Sequence, residues 1–364
     1  MRGLGIALVV LVHVLGVDEA HGLRKLFVPA RLELRAAYDF IHSFNMAVMV
    51  MGSGAVVGTL GRETRSFTRF LGRKAHTLLV PLGVWAPLLM GLQSWSSRGL
   101  RGPVDWREGA AWLAAAWSPA QSIFWFVHVL FWCTLARWLF QRLVGPRLGR
   151  WSAGVYVAAA LLLHLGASGC ARALPPAVGD YLTLWTYWNR FFGLGLWVGP
   201  LLPEVCRRLG RLSPRAHGLL TLSLLGALGA IHAGLPREVY ALTCGLNGPL
   251  GFGLLLSLAV LLRRHARGWH VLVHLGTHSM PFYLFHLYFV SGARICLERW
   301  LPGTPLAAHL VLGCALGGVG PWLFFKFLEP LALFRWSVGL PSIPGTSPVR
   351  DGAPHAEGAA ISSA

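Results

Sequence analysis

The chain has 364 residues, 55% of them hydrophobic and only 13% charged, with a mean hydropathy of +0.56. A water-soluble chain carries about 25% charge, so composition excludes a soluble enzyme, a disordered protein and a disulfide scaffold, and points to an integral membrane protein. The formal net charge of +18 would suit nucleic acid, but the charges sit in particular loops between apolar stretches, and nucleic acid is excluded as a partner. The six cysteines (Cys133, Cys170, Cys206, Cys244, Cys296 and Cys314) show no CxxC and no paired metal spacing. They read as small apolar residues, and no metal is expected.

Ten apolar stretches approach the roughly 20 residues that a bilayer core requires. They run over 3–17, 38–60, 76–93, 122–142, 151–169, 183–203, 217–234, 246–263, 271–293 and 306–328. The first has the length of a signal-peptide core, yet no small-residue cleavage site stands out and nine further spans follow. The predicted architecture is all-α, a polytopic membrane protein with about ten transmembrane helices. Residues 1–330 form one transmembrane domain. Residues 331–364, whose sequence after Arg335 is rich in Pro, Gly, Ser and Ala, form a disordered tail.

The loops at 61–75, 137–150, 204–215 and 263–267 hold 16 Lys/Arg against two acids, Glu63 and Glu204. The remaining loops are much closer to balance. The positive-inside rule therefore predicts that both termini are cytoplasmic. Each basic loop is accounted for by topology alone; phosphate binding is a second possible use.

Ionisable residues at bilayer depth are costly and so are candidate functional groups. The first span opens Arg2-Gly3-Leu4-Gly5 and reaches His13. Eleven positions make three helical turns plus about 20°, so Arg2 and His13 share one face, roughly 16 Å apart along the axis. That places Arg2 at the cytoplasmic mouth and His13 near mid-membrane. A snorkelling Arg and a buried His bonded to a neighbouring helix fit the same pattern. Arg190, within Trp188-Asn189-Arg190-Phe191-Phe192, should face a cavity or an acid, as a substrate contact or as half of a structural ion pair. His128, His164 and His232 read as core or interface residues. No Asp or Glu lies squarely within a span to orient His13.

Arg2-Gly3, an apolar run and His13 resemble the opening of the acyltransferase-3 family of integral membrane O-acyltransferases. Phe44-Asn45-Met46-Ala47 followed by Ser53-Gly54 is similar to that family's second span, with Asn45 standing where a His is usual. The basic stretch before Leu78-Leu79-Val80-Pro81, then Phe124-Trp125-Phe126, and finally Ser279-Met280-Pro281-Phe282-Tyr283-Leu284-Phe285-His286 continue the resemblance in order along most of the chain. In the family an Asp and further residues usually precede the Arg-Gly; here Met1 alone does, which leaves Arg2 at a frayed helix start. The family's Arg-x-x-Arg has two counterparts here, Arg62-Glu63-Thr64-Arg65 and the nearby Arg69 with Arg73.

The resemblance implies transfer of an acyl group, usually acetyl, from coenzyme A to a sugar hydroxyl. Arg2, Arg69 and Arg73 are expected to bind the phosphates of acyl-CoA, the donor substrate; no permanently bound cofactor is implied. His13 is the expected general base, since imidazole titrates near working pH. Trp125, Arg190, Ser279, Tyr283 and His286 are the candidate pocket residues, Ser279 also being a candidate helix cap. The acceptor is a cell-envelope or exported glycan, with a small-molecule or lipid alcohol as the alternative. The expected location is the bacterial inner membrane, among lipids and with a separate envelope transferase or glycan-assembly protein as a candidate partner. Intramembrane His and Arg would also suit a proton-coupled transporter, although no inverted repeat is visible. A catalytically inactive assembly protein is a further alternative.

Overall fold

The structure is a computed structural model that describes residues 1–18, 21–60, 66–97, 124–234, 237–264 and 266–340. Every regular element among them is helical. The helices used below are α1 (Arg2–Leu15), α2 (Gly22–Leu26), α3 (Arg31–Leu60), α4 (Phe67–Lys74), α5 (Val80–Ser97), α6 (Trp125–Leu143), α7 (Ser152–Cys170), α8 (Pro176–Val198), α9 (Leu202–Arg211), α10 (Pro214–Gly234), α11 (Arg237–Leu262), α12 (Ala266–Thr277), α13 (Ser279–Trp300), α14 (Leu306–Leu328) and α15 (Ala332–Ser337).

Among the described residues, six helical stretches are long and apolar enough to cross a membrane: Val28–Leu60, Gly145–Ala167, Pro214–Ala233, Gly245–Leu262, Ser279–Trp300 and Leu306–Leu328. The other four predicted spans fall on helices that are shorter or more polar. α1 has 14 residues, about 21 Å of helix. α8 carries Asp180 and Arg190, and α5 is diluted by Trp, Gln, Ser and an internal Pro87. The predicted span 271–293 is two helices. The chain leaves helical geometry at His278 (φ −100°, ψ 26°), and Pro281 has no N–H to return to the carbonyl of Thr277. The predicted tail from 331 also needs correcting. Residues 332–337 form α15, with Phe334 buried at its centre and Val338 buried just beyond. Apolar side chains that find a packing surface outweigh the local Pro and Gly content. Residues 341–364, the predicted basic pair Arg62 and Arg65, and a possible earlier start of the fourth span near Ala110 lie outside the described residues.

α3 is the central helix, packed against α1, α8 and α11. Its contact with α8 is built from two reciprocal small-residue motifs. Gly54 and Gly58 of α3 lie against the backbone of Phe192 and Leu196; Gly195 and Gly199 lie against the backbone of Met51 and Ala55. In lipid there is no hydrophobic drive between helices, so close backbone approach through Gly-x-x-x-Gly supplies the contact. A side chain at Gly195 would strike the carbonyl of Met51. Gly195→Leu is therefore expected to destabilise the fold by about 2 kcal/mol or more, read as a lower midpoint of thermal unfolding in detergent. An unchanged midpoint would contradict the close α3–α8 packing.

Polar groups join the outer helices. Tyr156 on α7 donates to Asn189 on α8 at 2.8 Å, and on α10 His217 bonds the carbonyl of Ser257 at 3.0 Å while Thr221 and Ser257 share a hydrogen bond of 2.8 Å. His164 meets Thr186 at 3.4 Å and His232 lies edge-on to Phe40. Both, with the buried His128, are interface residues, as the sequence suggests.

The segment after α1 folds back over its end. Gly16 (φ 102°) and Gly22 (φ 58°) cross with their backbones in contact, a conformation and an approach that side chains would prevent. Arg24, 5% exposed, donates through Nη1 to the carbonyls of Gly16 at 3.4 Å and Val17 at 3.0 Å. It thereby occupies carbonyls at the negative end of α1.

Candidate active site

Along α1, Gly3 and Gly5 allow close approach. Gly3 lies on the backbone of Leu272 in α12, and Gly5 lies on Met49 and near Asn45 in α3. This fixes α1 between those helices and presents Arg2 and His13 at its two ends. His13 lies in the last turn of α1, beside the fold-back that follows it.

His13 faces His286 of α13, with ring centroids 5.1 Å apart and an interplanar angle of 49°. His42 and His21 lie within electrostatic range of His13. The Nδ1 of His286 contacts the carbonyls of Phe282 at 3.0 Å and Tyr283 at 2.9 Å. A carbonyl only accepts, so this nitrogen carries the proton and, in the neutral ring, Nε2 carries the lone pair. That Nε2 is buried and has no hydrogen-bond partner among the described residues. It is the natural acceptor for an N–H of His13, which would direct the other nitrogen of His13 into the adjoining cavity. No carboxylate is needed for that orientation.

The cavity beside His13 has a volume of about 270 Å³ and is bordered by α1, the fold-back, α13 and α14. A second cavity, about 370 Å³, lies at the other end of α1 and is lined by Met1, Arg2, Thr59, Leu202, Trp269 and Thr277 among others. Leu60 and Leu202, which also border it, adjoin two of the basic loops, so Arg2 stands at the basic end of the bundle. Far from fraying, Arg2 is the first residue of α1 and packs its stem against Gly52 and Gly276.

The structure gathers some of the sequence-predicted residues and separates others. Tyr283 lies 6.2 Å from His286 between ring centroids, and its ring also packs on Phe124 and Phe126. Trp125 packs on Trp188 with ring centroids 4.9 Å apart and a tilt of 31°, and lines neither cavity described above. Arg190 meets neither cavity described above and pairs with no carboxylate among the described residues. Its guanidinium lies over Tyr187 at 4.2 Å and Phe191 at 4.8 Å, while Nε and Nη2 stay unpartnered. Ser279 stands seven residues before His286, about 10 Å along α13, next to the Arg2 cavity. It does not cap the helix, because His278 holds the cap position and no side-chain cap bond forms. Arg69 and Arg73 are exposed on α4 and do not line the Arg2 cavity.

Sequence reasoning undervalued three groups. Asn45 is fully buried, and both its side-chain polar atoms lack partners, as do those of Asn247. His42 stacks on Tyr38 at 5.1 Å, three residues before Asn45 on the same helix. The helical phase of His42 and Asn45 was legible, but their neighbours on α1 were not: His13 is within electrostatic range of His42, and Gly5 lies near Asn45. Arg294 and His309 border the His13 cavity from α13 and α14 and carry no motif at all.

No curated protein and no solved structure matches this chain. The family model described as an acyltransferase domain matches residues 1–326. The acyltransferase model covers nearly all of an all-helical bundle in which His13 borders a cavity, so the chain belongs to the acyltransferase-3 family and is a membrane O-acyltransferase.

Proposed function

We propose that the protein moves an acyl group, acetyl in the first instance, from acyl-CoA to a hydroxyl of a cell-envelope or exported glycan. The observation that carries the proposal is the His13–His286 pair beside a cavity at one end of α1, with Arg2 in a second cavity at the other. The Arg2 end adjoins basic loops and so, by the positive-inside rule, is the cytoplasmic end, where acyl-CoA is available. The reading includes ten spans, cytoplasmic termini and a place in the bacterial inner membrane, with a separate envelope protein presenting or receiving the glycan.

In the reaction, Arg2 holds a CoA phosphate by a charge-assisted contact, and the thin pantetheine arm carries the thioester the roughly 16 Å to His13. His13 removes the hydroxyl proton as the acceptor oxygen attacks the acyl carbon. The tetrahedral intermediate collapses, the carbon–sulfur bond breaks, and CoA thiolate leaves. The proton held by His13 neutralises the thiolate or passes to solvent. His286 holds His13 in place and stays neutral.

The test supplies purified protein with radiolabelled acetyl-CoA and an envelope-glycan fraction. Alkali-labile label in the glycan is expected; absence of label with every hydroxyl acceptor offered would count against the reading. Arg2→Gln is expected to raise KM for acetyl-CoA about tenfold and leave kcat within about twofold, the mark of a lost binding contact. Unchanged KM would remove Arg2 from the donor site.

A further inference from the structure

The cavity beside His13 carries a chemical bias that acyl transfer alone does not demand. Among the described residues its polar lining is His13, His21, Ser291, Arg294 and His309, with no Asp or Glu. A space of about 270 Å³ lies at the small end of ligand pockets and suits a single sugar ring.

Two of these side chains are built into the wall. His309, on α14, is 5% exposed, and its Nδ1 is buried with no partner among the described residues. Phe27 holds its ring edge-on at 5.4 Å. Arg294, on α13, stands eight residues after His286, about 12 Å along the helix, and lies within electrostatic range of His309. Its Nη1 is engaged by Glu298 at 3.1 Å, which leaves the rest of a five-donor fork. Among the described acids nearby, Glu298 is paired with Arg294 and also lies within electrostatic range of His309, and Asp18 is paired with His21 at 2.6 Å. Arg24, a further cation of the fold-back, is turned to the carbonyls of Gly16 and Val17. The hydroxyls of a neutral sugar could bond His309 and Arg294 one by one, but would bring no charge and no paired oxygens to the guanidinium. An anion would satisfy both, and guanidinium matches carboxylate and phosphate geometry.

We infer that this cavity selects an acceptor sugar carrying an anionic group, a carboxylate or a phosphate, near the hydroxyl that is acylated, with Arg294 and His309 as the specificity-determining residues. The inference rests on the reading above, in which the acceptor hydroxyl meets His13.

Binding and transfer are measured separately so that the two can fail separately. Wild-type protein in phosphatidylcholine nanodiscs is titrated with methyl β-glucuronide, glucose 1-phosphate and methyl β-glucoside. At least one anionic probe is expected to bind ten times more tightly than the neutral glucoside, and the order of the two anionic probes distinguishes carboxylate from phosphate. Arg294→Gln and His309→Phe are each expected to reduce that preference about tenfold while glucoside binding holds. Arg294→Lys should keep part of the preference, which separates loss of the charge from loss of the fold. With acetyl-CoA present, the preference should appear in acceptor KM and leave kcat similar. Equal binding of all three probes, or a preference that survives Arg294→Gln, overturns the inference. Transfer to neutral and anionic acceptors with equal KM overturns it too and leaves acyl transfer standing. Anion-selective binding without transfer to any acceptor supports the anion site and refutes the transferase reading.

Discussion

Replacing His13 by alanine is expected to lower kcat for acyl transfer by about three orders of magnitude, with KM for acyl-CoA unchanged. General bases contribute roughly 10²–10⁴ to rate, and a thiolate leaving group asks little acid help, so most of the chemistry falls to one proton acceptor. In the proposed reaction His13 is that acceptor, because it borders the cavity and its ring lies 5.1 Å from that of His286. The donor site is undisturbed, since Arg2 lies in a separate cavity at the other end of α1. The measurement is steady-state transfer beside acyl-CoA binding by calorimetry. A variant that binds and transfers like the wild type would remove His13 from the chemistry.

The second large effect is expected at His286. Asparagine there keeps a donor for the carbonyls of Phe282 and Tyr283 but has no acceptor at the position of Nε2. His286→Asn should therefore cost about 10² in kcat through misdirection of His13, with acceptor and donor KM values held. Glutamine reaches further and can present an oxygen near the Nε2 position, so His286→Gln should recover part of the loss. A purely structural role would instead lower thermal stability in both variants and leave no difference in kcat between them.

What the sequence revealed and what it withheld follow from the range of each interaction. The Arg2–His13 alignment is a property of one helix and needs only the 3.6-residue period. The basic loops are local too, and the run from Ser279 to His286 was recognisable as a motif. Pairings between helices were less accessible. His13 meets His286 across 273 positions of chain, and nothing local in either helix announces Arg294 or His309 as neighbours of that pair. The fold-back over His13 depends on two glycines with positive φ and on Arg24 as their clamp, which composition reads as an ordinary polar loop. The break at His278 was hidden because its flanks are apolar on both sides, and only the missing N–H of Pro281 hinted at it. Asn45 stands where the motif usually has a His, yet it is fully buried with both polar atoms unpaired among the described residues. Serine at the head of a helix suggested a cap, but His278 occupies that position.

In the proposed reaction an acyl group supplied at the Arg2 end reaches a hydroxyl at the His13 end. The most direct test uses sealed vesicles whose basic loops face outward, with radiolabelled acetyl-CoA outside and the glycan fraction enclosed. The predicted result is alkali-labile label in the enclosed glycan with wild-type protein and a loss of about 10³ in rate with His13→Ala. Label appearing only in glycan added outside, or appearing equally with His13→Ala, would contradict it.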